Sequence, residues 1–248
     1  MTDTPWTERE LRRQIVRACR ALSARGLVAA TDGNVSARLG PDRLLVTPSG
    51  VAKGEVTESA IVLCDEEGRK VRGRPGAEVS SEIHVHLAAY RERPETGAVA
   101  HAHPPVASAF TFAGLEGLLR EPVIPEVVAQ LGPIPTAPYV TPGTRALAEA
   151  AAPFFRESDV VLLARHGAVT LGADPWSAYL RMEKLEHAAT ILKCARELAG
   201  GAEGIKRLTP EQAGELVRSY GKGRRAKAPG ADEALVERIA EAVLRRMA

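Results

Sequence analysis

The chain has 248 residues, of which 45% are hydrophobic, and 33 basic residues against 31 acidic ones give a formal net charge of +2. This length and hydrophobic fraction suffice for one domain with a substantial core. The near-neutral charge excludes the long-range attraction of a strongly basic chain to nucleic acid or membrane surfaces, and we expect neither as a partner.

Sequence features bearing on location point to the cytoplasm. The opening residues MTDTPWTERELRRQ lack the apolar core of a signal peptide, and no stretch approaches the roughly 20 apolar residues that span a bilayer. The three cysteines, Cys19, Cys64 and Cys194, are far apart and form no CxxC pair. That usage is typical of a reducing compartment, so we expect a cytoplasmic protein.

The first third of the chain begins with a helix and continues as sheet. Thr7 and Glu10 have capping-box spacing, and apolar residues then recur at helical period until Gly26. This pattern predicts a first helix. Short apolar segments bounded by turn residues follow and predict three strands, over 33–39, 43–46 and 60–64.

The later segments mix helices with further strands. Helical patterns cover 78–93, 107–112, 144–155 and 175–198, whereas 97–103 is strand-like and 159–172 has the pattern of a hairpin. Segment 123–139 is rich in proline, so we expect extended and turn-rich chain there rather than a long helix. Strands that follow one another directly favour a mainly antiparallel sheet covered by helices, an α/β fold in the broad sense.

The chain is expected to divide into one large and two small parts. Residues 1–221 are predicted to form a single domain. Residues 222–231 are basic and rich in small residues, the composition of a linker. Residues 232–248 carry apolar side chains every four positions, which predicts a final amphipathic helix that docks on its own chain or a neighbour. Membrane or partner binding by the basic run is the less favoured alternative, because no aromatics are interleaved.

The segment VAHAHPP at 99–105 carries a candidate metal-binding pattern. His101 and His103 alternate on a strand and therefore point to the same face. A catalytic zinc site usually has three protein ligands and one open position, and His166, at the tip of the predicted hairpin, is the best third candidate. Each histidine taken alone is more often structural, so the prediction depends on their combination.

Glu82, in VSSEIHVH, stands just ahead of the histidine strand. A carboxylate beside a metal can act as a ligand or as a general base. The plainer interpretation is a glutamate favoured at a helix start by the helix dipole. His86 follows Glu82 by one helical turn and could orient it, whereas His84 falls on another face.

Three small-residue segments suit an anion: TDGNVS at 31–36, TPSG at 47–50, and the serine pair at 80–81. Glycine lets backbone amides turn inward, while serine and asparagine add side-chain donors. Each segment alone is more often a simple turn. Together with the histidines they predict a phosphate-binding nest.

The motifs GNVS, TPSG, SSE, HAH and RHG, in that order within residues 8–221, resemble the class II aldolase and adducin head family, and in particular its fuculose-phosphate aldolases. The resemblance implies a three-layer α/β/α fold and a homotetramer whose active sites are shared between neighbours. It implies a divalent cation, usually Zn²⁺ with Mn²⁺ or Co²⁺ as alternatives, held by His101, His103 and His166. It assigns catalysis to Glu82 and the substrate phosphate to Asn34, Ser49, Gly50, Ser80 and Ser81.

The implied reaction is cleavage of a ketose 1-phosphate to dihydroxyacetone phosphate and an aldehyde through a metal-stabilised enediolate. No Schiff-base lysine stands out, because the lysines mostly fall in polar surroundings. Epimerases, dehydratases and decarboxylases of the family remain alternatives, although the related 4-epimerases generally carry Asp where Glu82 stands. A non-catalytic, adducin-like interaction module is a further alternative, and the retained histidines and Glu82 argue against it.

Tyr220, in LVRSYGKG, matches a C-terminal tyrosine near the active site of the family's aldolases. Those aldolases carry another tyrosine in the segment corresponding to PVIPEVVAQLG, where this chain has Glu126 and no tyrosine before Tyr139. Tyr220 is therefore predicted to donate the proton that the aldehyde oxygen needs. The alternative is an aromatic side chain that packs at a helix end.

Overall fold

The computed structural model describes residues 5–220, so the predicted linker and final helix lie outside the described residues. Eight strands form one sheet in the order β4-β3-β2-β1-β5-β8-β7-β6. Every neighbouring pair is antiparallel except β6 and β7, which confirms the mainly antiparallel prediction. The strands are β1 (Asn34–Gly40), β2 (Arg43–Val46), β3 (Val62–Cys64), β4 (Lys70–Arg72), β5 (Ala98–Ala102), β6 (Thr136–Ala137), β7 (Val160–Leu163) and β8 (Gly167–Gly172).

Helices cover both faces of this sheet and make the predicted three layers. Side chains of α1, α3, α4 and α6 enter one core cluster, and side chains of α2 and α5 enter the other. A further helix, α7, packs on α4. The helices are α1 (Glu8–Ala24), α2 (Ile83–Glu92), α3 (Pro105–Phe112), α4 (Pro125–Gln130), α5 (Arg145–Phe155), α6 (Pro175–Leu198) and α7 (Pro210–Tyr220).

Strand alternation determines which side chains face α2. In β5, the alanines at 98, 100 and 102 enter the cluster with α1 and α6, whereas Val99 enters the cluster with α2 and α5. His101, two residues on, therefore shares the α2 face with Val99. Asn34 of β1 is paired directly with His101, and so also lies on that face. The sheet thus presents polar side chains where α2 begins.

Most predicted elements are confirmed, with local differences. The capping box of Thr7 and Glu10 starts α1, and the hairpin over 159–172 forms as β7 and β8. The helix predicted from residue 78 begins only at Ile83, because the preceding residues bridge to Pro48 through Val79. The proline-rich segment does contain a short helix, since Pro125 occupies its first turn, where no amide donor is needed. Strand β4 and helix α7 have no counterpart among the predicted elements.

Within residues 5–220, none of the helices combines the length and the apolar character that a bilayer crossing requires.

Candidate metal centre and anion-binding loops

The three predicted metal histidines meet at one end of the sheet. His101 lies on β5, His103 just beyond the end of that strand, and His166 in the turn between β7 and β8. Their ring centroids are 4.8 to 5.0 Å apart. Gly167 permits this approach, because a Cβ there would lie 2.4 Å from the carbonyl oxygen of Ala102 and 2.7 Å from Cδ2 of His103.

The donor atoms of this cluster fit a divalent cation. Nε2 of His103 lies 3.2 Å from Nε2 of His101. Two nitrogens bound to one tetrahedral Zn²⁺ lie about 3.3 Å apart, so the observed spacing is that of a shared ion. Together with Glu82, the three histidines offer ligand atoms that all lie within 4.8 Å of one another. Neutral imidazole and carboxylate suit Zn²⁺, Mn²⁺ and Co²⁺.

Neighbouring groups orient two of the rings. Nδ1 of His101 lies 3.0 Å from the carbonyl oxygen of Ala168, so it carries the proton and leaves the Nε2 lone pair free. Nδ1 of His103 lies 3.4 Å from Oδ2 of Asp32. A carboxylate behind a ligand histidine commonly sets its tautomer and ring orientation. Both rings therefore direct Nε2 toward the centre of the cluster.

The turn that carries His166 has an unusual backbone. Arg165 has φ of +55°, a left-handed backbone conformation that residues other than glycine rarely adopt. Its backbone amide donates to Oγ1 of Thr111 at 2.9 Å, and its guanidinium lies 4.5 Å from the ring centroid of Tyr139. These two contacts hold the turn in the conformation that brings His166 to the other histidines.

Glu82 joins the cluster from the start of α2. Its Oε2 lies 3.1 Å from Nε2 of His101, and its Oε1 lies 3.3 Å from Nε2 of His166. Asn34 donates from Nδ2 to Oε2 at 3.3 Å. Burial raises the pKa of Glu82, but hydrogen bonds from His101 and His166 in their protonated forms, together with their positive charge, outweigh it and hold the pKa well below its ordinary value. Glu82 is therefore a carboxylate placed to bind a metal or to take a proton.

Burial and the positive charges of neighbouring histidines lower the pKa of His103 to about 4. Its imidazole is consequently neutral near pH 7, which is the form that binds a metal. The low pKa also means that the cluster avoids placing several protonated rings against one another.

His86 and His84 lie apart from the cluster's ligand atoms. His86 is buried, and its Nδ1 lies 2.7 Å from Oγ of Ser36. This hydrogen bond goes to the sheet rather than to Glu82, so the suggestion that His86 orients Glu82 gains no support from the bonding. Burial lowers the pKa of His86 to about 3. His84 is only half-buried.

Two of the predicted anion segments lie side by side. Pro48 forms a β-bridge with Val79, and the amide of Ser49 donates to the carbonyl of Glu78 at 2.9 Å. The segment TPSG therefore runs against the residues that lead into α2. Ser81 is exposed, and Ser80, also just ahead of α2, accepts from the amide of Glu82 at 3.4 Å through its hydroxyl. Helix N-termini favour anions, so this edge suits a phosphate.

Asn34 and Gly50 also flank this edge. Asn34 is only 2% exposed, and its Oδ1 is buried without a hydrogen-bond partner. Gly50 is exposed and has φ of +71°. This left-handed conformation is typical of glycine in loops whose backbone amides bind an anion. Gly33, next to Asn34, has φ of +72°, and a Cβ there would meet the carbonyl oxygen of His101 at 2.8 Å.

The remaining predicted residue, Tyr220, lies at the end of α7 and is 66% exposed. Its helix packs on α4, the helix that carries Glu126. Glu126 does not belong to the group of metal-ligand atoms found among the described residues. A role for Tyr220 at a site remains a prediction.

Asp32 and Arg165 are not among the predicted site residues. Asp32 stands inside the segment TDGNVS, but nothing in the sequence indicates that it faces His103. Arg165 directly precedes His166, and its positive φ is visible only in the backbone.

Comparisons with known proteins show the family of the chain. Residues 13–192 match the family described as the Class II Aldolase and Adducin N-terminal domain. The chain is 32% identical to the 3-oxo-tetronate 4-phosphate decarboxylase of Escherichia coli O6:H1 over 197 residues, 77% of this chain and 90% of the relative. It is 34% identical to the L-fuculose phosphate aldolase of Methanocaldococcus jannaschii over 180 residues, 73% of this chain and 94% of the relative.

A solved structure has a similar fold. YgbL from Klebsiella pneumoniae, described as a candidate aldolase, epimerase or decarboxylase, superposes with a TM-score of 0.76 at 30% identity. The superposition covers 85% of this chain and 99% of YgbL.

Proposed function

Because the chain belongs to the class II aldolase and adducin N-terminal domain family, we propose that it is a divalent-metal-dependent aldolase. Its substrate would be a ketose 1-phosphate, cleaved to dihydroxyacetone phosphate and an aldehyde. The observation that carries the proposal is the convergence of His101, His103, His166 and Glu82 within 4.8 Å. An adducin-like module without catalysis would have no need of this group of ligand atoms.

His101, His103 and His166 would hold the cation, with Zn²⁺ as the first candidate and Mn²⁺ or Co²⁺ as alternatives. When bound, the cation supplies positive charge that stabilises the enediolate left by cleavage of the carbon bond. The contacts of Ala168 and Asp32 with two of these rings support the assignment, because they direct Nε2 toward the common centre.

Glu82 would move the proton. In the direction of bond formation, its carboxylate takes a proton from the carbon beside the carbonyl of dihydroxyacetone phosphate. That carbon then attacks the aldehyde, whose oxygen receives a proton from an acid, for which Tyr220 is the candidate. Cleavage is the reverse. The depressed pKa keeps Glu82 ionised, and Asn34 holds one of its oxygens at 3.3 Å, so the base is fixed in place.

The phosphate would lie at the edge formed by TPSG and the start of α2. Ser49, Gly50, Ser80 and Ser81 contribute amides and hydroxyls there. The bridge between Pro48 and Val79 supports this pocket, because it brings the two segments together. Asn34 borders the same edge, although its amide group also serves Glu82.

Decarboxylation is the second candidate, because the chain is 32% identical to a 3-oxo-tetronate 4-phosphate decarboxylase. Loss of CO₂ from a 3-oxo acid also leaves an enediolate-type carbanion that needs a positive charge nearby. Epimerisation and dehydration can use the same groups. The cluster therefore supports the phosphate-bearing substrate class more strongly than it supports one bond-breaking step.

One panel of substrates separates these reactions. The purified, metal-loaded protein is incubated with ketose 1-phosphates and with phosphorylated 3-oxo acids, and dihydroxyacetone phosphate and CO₂ are measured. Release of dihydroxyacetone phosphate and an aldehyde from a ketose 1-phosphate, without CO₂, supports the aldolase. Release of CO₂ from a phosphorylated 3-oxo acid, with the corresponding ketone phosphate as co-product, and no cleavage of any ketose 1-phosphate replaces it with the decarboxylase. Conversion of a ketose phosphate without aldehyde or CO₂ indicates epimerisation or dehydration.

We also propose a cytoplasmic homotetramer with shared active sites. Three free cysteines, two of them buried, support a reducing compartment. The exposure of Tyr220 at the end of α7 supports sharing, because an exposed side chain at a helix end can reach the site of a neighbouring chain. Light scattering on the purified protein would test the assembly, and a monomer with full activity would contradict it.

A further inference from the structure

A lysine lies buried behind the anion-binding loops. Lys53 begins the short 3-10 helix Lys53–Glu55, which packs on α1, and it is only 2% exposed. Its ammonium donates to the carbonyl oxygen of Thr31 at 2.8 Å and to that of Val51 at 2.6 Å. One acceptor belongs to the segment TDGNVS and the other directly follows the segment TPSG. A single side chain therefore ties these two loops together.

The charge of Lys53 is poorly neutralised. Its hydrogen-bond acceptors are the neutral carbonyls of Thr31 and Val51, and no ion pair within 4 Å joins its Nζ to a carboxylate among residues 5–220. Burying an ammonium costs free energy unless it is well partnered. A methionine of similar length would fill this space at a smaller cost in free energy. Burial accordingly lowers the pKa of Lys53, while Asp32 opposes that shift. A buried positive charge whose direct partners are two carbonyls, kept beneath two loops, suggests a role toward an anion.

Both loops tied by Lys53 reach the candidate site. In the first, Asp32 lies 3.4 Å from His103 and Asn34 lies 3.3 Å from Glu82. In the second, Ser49 is hydrogen-bonded to the residues that lead into α2. Lys53 itself is closed to solvent and its ammonium is directed at carbonyls, so it is placed neither to touch a substrate nor to form a Schiff base.

We propose that Lys53 is a positioning residue for the substrate's phosphate group. It holds the carbonyls of Thr31 and Val51, and with them the two loops, in one arrangement, and it adds a positive charge beneath the loops. The ligand class is a phosphate monoester dianion. The proposal rests on the phosphate pocket of the proposed function, but not on which carbon bond the enzyme breaks.

The test compares Lys53→Met with the parent in the metal-loaded protein. Lys193→Met is the matched control, because that side chain is 60% exposed on α6. Ser81→Ala removes a hydroxyl of the phosphate pocket itself, so it shows how much phosphate affinity falls when a direct contact is lost. Lys53→Gln, which keeps a donor without the charge, is the second variant should the methionine protein be unstable.

The measurements separate binding from folding. We expect the Kd for inorganic phosphate, from titration calorimetry, to rise about tenfold or more in Lys53→Met. The KM of the phosphorylated ketose should rise in parallel. Metal content, kcat and the KM of the unphosphorylated ketose should stay within about twofold, which a merely structural role would not predict.

The outcomes distinguish the two proposals. Equal phosphate affinity in parent and Lys53→Met overturns the role of Lys53, as does an equal rise of KM for phosphorylated and unphosphorylated substrates. A parent that binds no phosphate overturns it as well. The parent protein could also bind phosphate in a way that depends on Lys53 and yet cleave no ketose phosphate. That result would refute the aldolase proposal and support the positioning role of Lys53.

Discussion

Replacing Glu82 by glutamine isolates proton transfer from metal binding. The amide is nearly the same size as the carboxylate and cannot act as a base. Three imidazoles remain to hold the cation, so metal content should be unchanged. Loss of a positioned general base lowers turnover by about 10²- to 10⁴-fold, which corresponds to about 3–5 kcal/mol in the activation barrier.

The structure also sets the scale of any effect on folding. The Glu82 carboxylate lies 3.1 Å from Nε2 of His101 and 3.3 Å from Nε2 of His166, and it accepts a hydrogen bond from Asn34. A glutamine would replace one of its two oxygens by an amide group and lose one such contact. The lost contact is worth about 1 kcal/mol, well below the expected change in the barrier. Turnover and thermal stability should therefore respond very differently.

The assay measures zinc by elemental analysis, the thermal midpoint and turnover on one preparation. Glu66→Gln, an exposed glutamate in the turn between β3 and β4, is the control for loss of a carboxylate. Turnover equal to that of the parent would remove Glu82 from the chemistry. A variant without metal would instead show that Glu82 is an essential metal ligand, and the assignment of metal binding to the three histidines alone would be wrong.

Four further predictions follow from individual contacts. His101→Ala should lose its metal on dialysis while His187→Ala, at an exposed position of α6, retains it; equal retention would refute the ligand assignment. Asp32→Asn should weaken metal affinity about 10-fold in a chelator competition, because the carboxylate behind His103 is lost, and an unchanged affinity would leave Asp32 without that role. Tyr220→Phe should lower turnover about 10-fold or more at constant metal content and thermal midpoint if the phenol is the acid, whereas lost stability would indicate packing. Burial lowers the pKa of His86 to about 3, below its unfolded value, so the stability it contributes is present at neutral pH and falls with pH below about 6.5; urea unfolding should show about 2 kcal/mol lost between pH 7 and pH 5 that is missing in His86→Gln.

Local patterns were sufficient for most of the elements. The capping box of Thr7 and Glu10 and the helical spacing after it predicted α1 because both depend on residues three or four apart. The hairpin over 159–172 followed from two apolar runs around a turn. The start of α2 was placed too early, because the serine-rich approach to Glu82 is held by a bridge to Pro48, a contact that helical periodicity cannot reveal.

By itself, the sequence determined the donor set: two histidines on one face of a strand, a third at a turn, and small-residue loops suited to phosphate. The tertiary structure decided which residues contact and orient those groups. Asp32 faces His103, His86 bonds to Ser36 rather than to Glu82, and Lys53 is buried between two loops. These relations arise because β1 pairs with β5 more than 60 residues away along the chain, and such long-range pairing depends on how the whole core packs rather than on any local pattern of residues.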